Sequence, residues 1–298
     1  TSSWGSSVSC IFTAESDSVE GPYYNITPLM YSGFNDNCGA NASKSGVKAK
    51  LDAVNGYSYS SDSSNPHRKY LRSSWGTYYY SSNTYPNCID PCPFYAADGN
   101  LYMSLGSWSG GIWMVKLSDD GLSTDSQWMY DNGYDPYYGV KVAAVTSESL
   151  GSGSGEGSFC YYDSTTGSTY LNVVYGSVHQ YQYTMRVWKS TSACPMQGSY
   201  TDVTGAASTT ANSDSTVSGM KLMGNYTYTG SNLQYYDNGH CSYMTVSNNG
   251  SNDAGKTFIS YHMRVDKATI TERALASTNY LNEARVHQVL YNEDGWQC

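Results

Sequence analysis

Helical periodicity is almost absent from this chain, and that restricts its fold more than any other feature. Apolar and polar residues instead alternate over short runs: "SVSCIFTAES" (Ser7 to Ser16), "GNLYMSLGS", "GGIWMVKLS", "GVKVAAVTS", "STYLNVVYGS", "YTMRVWKST", "KTFISYHMRV" and "RVHQVLYNEDGW". Alternation of period two, bounded by Gly, Pro, Asn, Asp and Ser clusters, specifies half-buried strands. Such a chain folds as an all-β sandwich, barrel or propeller. A looser echo favours the last. Thr13 to Tyr23 and Val187 to Tyr200 each run from a strand through Ser into a loop closing on Gly-Pro/Ser-Tyr. Echoes of this kind point to stacked or radially arranged units of about four strands. The Ser/Gly-rich stretches 147–158 and 205–219 keep the composition of their flanks. They read as long surface loops within a single domain over 1–298 rather than as linkers.

Charge narrows the partners. A formal charge of −9, with 16 Lys and Arg together, argues against nucleic acid and against anionic membrane surfaces. No apolar run approaches the length that spans a membrane. Tyrosine is extreme at 31 residues. Its rings, like those of tryptophan, suit ligands that are partly apolar, such as sugar faces, although most are expected simply as strand residues. The eight cysteines are Cys10, Cys38, Cys88, Cys92, Cys160, Cys194, Cys241 and Cys298. Their even number and the low lysine content fit disulfides in an oxidising compartment. Asn-x-Ser/Thr sequons begin at Asn25, Asn41, Asn225 and Asn249. With no signal peptide at residue 1, the expectation is a mature, secreted glycoprotein.

Four segments carry candidate chemistry. In Ile89-Asp90-Pro91 the proline disfavours a helical Asp90, which is expected to be extended at a strand end with its carboxylate fixed in direction. Ala97 to Asn100 then reads as a hairpin turn, followed by a strand and the Trp108 segment. Glu156 stands between Gly155 and Gly157, ahead of an aromatic strand, where small neighbours leave its carboxylate unobstructed. His240 follows Gly239 at a strand start, and His262 and Arg264 share a strand face by alternation. Two separated carboxylates amid aromatics are what glycoside hydrolysis requires, one to protonate the leaving oxygen and one to activate water or attack. On the residues alone plainer readings stay open: Glu156 as an exposed loop acid, Asp90 as a turn cap, both histidines as half-buried strand residues.

In combination these segments resemble glycoside hydrolase family 43, in its arabinan-degrading branch. The resemblance lies in Ile89-Asp90-Pro91 with Phe94, in Asp98-Gly99, and in Gly106 through Ile112. It continues in Glu156-Gly157-Ser158, with Ser where Pro is commoner, in Gly239-His240-Cys241-Ser242, and in Tyr261 to Arg264. Met220 to Tyr228 and Arg285 to Trp296 extend it to nearly the whole chain, in family order. The resemblance implies a five-bladed β-propeller with its active site at one end of the central channel. It implies Glu156 as general acid, and Asp90 as the residue that tunes and orients that acid. Ser107, Trp108 and Arg264 become substrate-binding residues. His240 would help to hold a central cation, commonly calcium, largely through waters. The implied activity is hydrolysis of α-1,5-linked L-arabinan, a plant cell-wall polysaccharide, with inversion. Alternatives are a β-xylosidase or arabinofuranosidase of the same family, or an inactive extracellular propeller that binds glycan or builds structure. One part is missing. The general base that the resemblance calls for, an aspartate in an Asp-Pro step of the first blade, has no counterpart here. Neither Glu20 nor Asp135 is assigned its role. The chain is expected to open within the second blade, with the first blade absent from it and supplied by a separate N-terminal fragment.

Overall fold

The computed structural model describes residues 9–32, 84–145, 153–177, 183–210, 218–227, 234–247, 250–266 and 280–298. Among these the chain is nearly all strand. It divides into two compact units, Thr1–Ala143 with Ala193–Gln197, and Ala144–Ser192 with Gly198–Cys298.

In the first unit β1 (Ser9–Glu15) and β2 (Tyr24–Ser32) form an antiparallel hairpin. A four-stranded antiparallel meander follows in chain order: β3 (Cys92–Tyr95), β4 (Leu101–Leu105), β5 (Ile112–Lys116) and β6 (Val140–Ala143). The expected turn between β3 and β4 is present. Gly99 takes φ 79°, Ala96 N–H donates to Asn100 O at 3.0 Å, and Asn100 N–H donates to the Asp98 carboxylate at 3.0 Å. Strand β5 is buried along its whole length, Lys116 included, and the Lys116 ammonium is held by Asp125 at 2.8 Å. Asp125 also caps α1 (Ser126–Asp131), accepting from Trp128 N–H at 3.1 Å. Six residues are too few for helical periodicity to register in the sequence, so this helix was not expected.

Strand β2 is tied into the first unit by two tyrosines. The Tyr137 hydroxyl accepts from Tyr31 N–H at 2.6 Å and donates to Tyr31 O at 3.0 Å, and Tyr138 donates to the same carbonyl at 3.1 Å. Asp135 sets up this pair, its carboxylate accepting from the N–H groups of Tyr137 and Tyr138 at 2.9 Å each. Asp135 thus serves a turn, and Glu20 is exposed.

The second unit has two antiparallel sets. One is β7 (Glu156–Asp163), β8 (Ser168–Tyr175), β9 (Thr184–Ser190) and β10 (Met220–Met223). The other is β11 (Tyr226–Thr227), β12 (Gln234–Thr245), β13 (Thr257–Asp266) and β14 (Tyr280–Gln288). A parallel bridge between Asn238 and Thr184 joins them. The stretch 147–158, expected as loop, ends instead as strand: Glu156 opens β7 and pairs with Val174 of β8. Cross-strand pairing satisfies backbone that the Ser/Gly-rich composition marks as irregular. Residues 146–152 and 211–217 of the two expected loops lie outside the described residues.

A buried tyrosine network closes this unit. Tyr161 stacks between Tyr170 (5.2 Å) and Tyr243 (4.5 Å). Its hydroxyl lies 2.8 Å from that of Tyr291 and accepts from the Gln297 side chain at 2.8 Å. The Tyr243 hydroxyl shares its hydrogen between the side-chain oxygens of Asn172 and Gln297, 3.0 and 2.9 Å away, and Tyr291 donates to Asp163 at 3.0 Å. Burial, then the neighbouring tyrosines, pushes the Tyr161 phenol far above its ordinary range, so it stays protonated.

Three expectations meet the described residues differently. No cysteine pair is bridged among them, so the expected disulfides are not seen there, and Cys38 lies outside. Asn25 and Asn225 are exposed, while Asn41 and Asn249 lie outside. No described helix is long and apolar enough to cross a membrane. The tyrosine network yields a first prediction. Tyr161→Phe removes one hydroxyl and strands the amide of the buried Gln297, which is expected to cost about 1–3 kcal/mol in urea unfolding. An unchanged midpoint would show that the network does not bear on stability.

Candidate active site

Glu156 begins β7 and is half-buried. Behind it, Ser154 is fully buried and its hydroxyl accepts from Gly176 N–H at 2.9 Å, pinning the strand entry to the end of β8. The next residue, Gly157, takes φ 57°, and a Cβ there would lie 3.0 Å from Cγ of His240. Backbone and imidazole therefore pack face to face, which a side chain at 157 would prevent. Tyr183, immediately before β9, donates its hydroxyl hydrogen to Oε1 of Glu156 at 2.7 Å. The hydroxyl oxygen of Tyr183 also lies 3.5 Å from Nδ1 of His240.

Strand β12 brings His240 to this point by being irregular. Its pairing with β13 shifts register between Tyr236 and Gly239 and again between Gly239 and Ser242. Asp237 and His240 both take positive φ, 54° and 52°. Such conformations are costly for residues other than glycine and need support from their surroundings. Asp237 has that support: it is buried, its N–H donates to Asn225 at 2.9 Å, and its carboxylate accepts from Tyr183 N–H at 3.3 Å. His262 faces Gly239 across the ladder and stacks on Tyr183, with centroids 5.5 Å apart and planes inclined by 17°. Burial, then the neighbouring His240 and Arg264, pushes its pKa down to about 4, and its buried Nδ1 has no hydrogen-bond partner among the described residues. Arg264 is buried on the same strand, where its Nε donates to Asn282 of β14 at 3.0 Å.

The remaining predicted residues belong to the first unit. Asp90 is not extended: it has φ 54° and lies two residues ahead of β3. Proline excludes the right-handed helical region for its predecessor but leaves the left-handed one open, and aspartate tolerates it better than most residues. Gly106 N–H donates to Ile89 O at 3.0 Å, which ties the Asp90 segment to the loop holding Ser107 and Trp108. That loop is tight. Gly106 takes φ 128°, and a Cβ on it would come 2.4 Å from the Gly111 carbonyl. Trp108 and Ser109 take φ 54° and 28°, Ser107 is buried, and Trp108 is half-buried. Asp90, Ser107 and Trp108 thus gather at one end of the β3–β6 sheet, whereas Glu156, His240 and His262 gather around Tyr183 in the second unit. Tyr183 and Asp237 carry the arrangement in the second unit, and sequence reasoning missed both. Tyr183 is one of 31 tyrosines with no local pattern to single it out.

Among the described residues no group of three His, Cys, Asp or Glu could hold a metal ion. Calcium takes about six to eight oxygen ligands. The exposed imidazole of His240 therefore suits only an ion that keeps its water shell.

No family model matches the chain. It is 29% identical, over 99% of its length, to an extracellular endo-α-(1→5)-L-arabinanase of Thermotoga petrophila, of which the match covers 51%. It is 28% identical over 73% of its length to extracellular endo-α-(1→5)-L-arabinanase 2 of Bacillus subtilis, covering 42% of that protein. The crystal structure of an endo-1,5-α-L-arabinanase from Thermotoga petrophila superposes with a TM-score of 0.68 at 28% identity, over 99% of this chain and 54% of that one. A glycoside hydrolase of family 43 from Bacillus licheniformis superposes with a TM-score of 0.64 at 25% identity, over 97% and 52%. The chain is related to the arabinanase-like glycoside hydrolases of family 43. It spans about half the length of the curated relatives it matches.

The low His262 pKa has a definite consequence for stability. The unfolded imidazole takes its proton near pH 6.5 and the folded one near 4. The stabilising contribution of the neutral ring is therefore complete above about pH 6.5 and is lost as pH falls toward about 4, where it levels off. Denaturant unfolding across this window should show a slope that His262→Gln reduces. An equal slope in the variant would place the titration elsewhere.

Proposed function

We propose that this chain belongs to a secreted, five-bladed propeller enzyme that hydrolyses α-1,5-linked L-arabinan with inversion, and that Glu156 is its proton donor. One observation carries the reading. The glutamate of the arabinanase-like motif is presented at a strand entrance with Oε1 held by Tyr183 at 2.7 Å. The similarity to proteins named as extracellular arabinanases supports both the substrate and the location.

The chemistry is a single displacement. The bond between the anomeric carbon and the glycosidic oxygen breaks, its electron pair goes to that oxygen, and the oxygen takes the proton of Glu156. Water supplies the new bond to carbon and gives its own proton to a general base, to which the motifs assign no residue of this chain. In an inverting site acid and base stand roughly 6.5–9.5 Å apart, so that water fits between base and sugar. Trp108 offers a ring for stacking on arabinose, Ser107 a polar contact, and Arg264 a third substrate-binding side chain, whose charge also disfavours protonation of His262. Asp90 is proposed as the residue that tunes the acid. His240 would help to hold a calcium ion, which would supply positive charge there.

Reducing-sugar release from linear arabinan, measured on the intact protein, tests the reading. Glu156→Gln keeps the shape but cannot donate a proton, and turnover should fall roughly 10²- to 10⁴-fold. Aryl arabinosides with good leaving groups should suffer much less, because their departure needs less protonation. Turnover within a few-fold of the parent would return Glu156 to the role of a loop acid. Cleavage of aryl xyloside without arabinan would instead make the protein a xylosidase. Asp90→Asn should also lower arabinan turnover while leaving the melting temperature nearly unchanged. Full activity in that variant would remove Asp90 from the site.

A further inference from the structure

We propose that Tyr183 is the positioning residue for the proton donor: its hydroxyl occupies Oε1 of Glu156, so that the transferable proton is carried on Oε2. This rests on the reading of Glu156 as the general acid.

Tyr183 is fixed from three sides. Its ring is 1% exposed and stacks on His262, and its main-chain N–H donates to the buried Asp237. Its hydroxyl donates to Oε1 at 2.7 Å, a good hydrogen bond, whereas 3.5 Å to Nδ1 of His240 is at the limit of one. A phenylalanine would serve the ring stack and the main-chain bond equally well. The hydroxyl is what distinguishes the two, and it is directed at the carboxyl group.

The consequence is chemical. With the phenol hydrogen pointing at Oε1, a proton on that same oxygen would face another hydrogen. The protonated carboxyl group therefore carries its hydrogen on Oε2. During transfer the Oε2–H bond breaks and the proton goes to the glycosidic oxygen as that oxygen leaves the anomeric carbon. The carboxylate left behind spreads its negative charge onto Oε1, where the bond from Tyr183 becomes charge-assisted and stronger. An interaction that strengthens as charge develops accelerates the step rather than merely binding the ground state.

Tyr183→Phe in the intact protein tests this, assayed on linear arabinan and on an aryl arabinoside with a good leaving group. The expected result is a fall in kcat on arabinan of about 10- to 100-fold, with KM within about twofold and a loss of no more than about threefold on the aryl substrate. The ratio of the two rates does not depend on the fraction of protein folded, so partial destabilisation cannot imitate it. In a Glu156→Gln background the further Tyr183→Phe change should have no additional effect, because the proton it positions is gone. Equal losses on the two substrates, additive losses in the double variant, or an arabinan kcat within about twofold of the parent would each overturn the proposal. A parent protein that does not turn over arabinan overturns the general-acid reading and this proposal with it. An active parent confines any failure to Tyr183.

Discussion

The hydroxyl of Tyr161 is the interaction on which the second unit turns. It is buried on β7, between rings from β8 and β12, and its hydrogen bonds reach Tyr291 and Gln297 near the end of the chain. A phenol in such a place is tolerable only when partnered, since an unpaired buried hydroxyl costs about 1–3 kcal/mol. The partners come from segments distant in sequence, so the network forms only when β7, β8, β12 and the C-terminal residues are all in place. Trp296 adds to this closure by lying under the Lys189 ammonium, 4.6 Å from its ring centre. Glu156 is the first residue of β7, the strand so clamped, and inherits its fixed position.

Strain accumulates where the candidate chemistry is. Apart from Asn25, the described residues other than glycine with positive φ are Asp90, Trp108, Ser109, Asp237 and His240. All but Asp237 lie in segments singled out for their motifs, in one unit or the other. Left-handed backbone at residues with side chains persists only where the surroundings impose it, and such positions concentrate at functional sites. In the second unit those surroundings are visible. The carboxylate of Asp237 holds the main chain of Tyr183, the ring of Tyr183 packs on His262, and Gly157 leaves room for His240. Carboxylate, phenol and imidazole are thereby pre-positioned, which is what a proton donor needs from its neighbours.

Much of this was legible in the sequence for a simple reason. Strand alternation is local and so is turn chemistry, so β4, β5, β8, β9 and β13 fall where the alternating runs are, and Asp98-Gly99 turns as its type dictates. Glu156 and His240 were legible because flanking glycines mark places where backbone comes close to something. The failures have equally definite causes. Helix α1 is too short to show a period. The proline rule removes one region of conformational space for Asp90 but does not choose between the two that remain. The strand beginning at Glu156 is hidden by serines and glycines, whose backbone is satisfied by pairing with Val174.

The sequence by itself determined the all-β class, the identity of the candidate acid and histidines, and the chain's affinity to arabinanase-like hydrolases, because these depend on local pattern and motif order. Tertiary structure alone decided which oxygen of Glu156 is held, which of 31 tyrosines holds it, and why the His262 imidazole stays neutral. Those facts depend on residues some 27 to 80 positions apart being brought within hydrogen-bonding or stacking distance. No local pattern encodes a distance of that kind. It is set by strand register, by the two irregular steps in β12, and by the burial that excludes water from the groups between them.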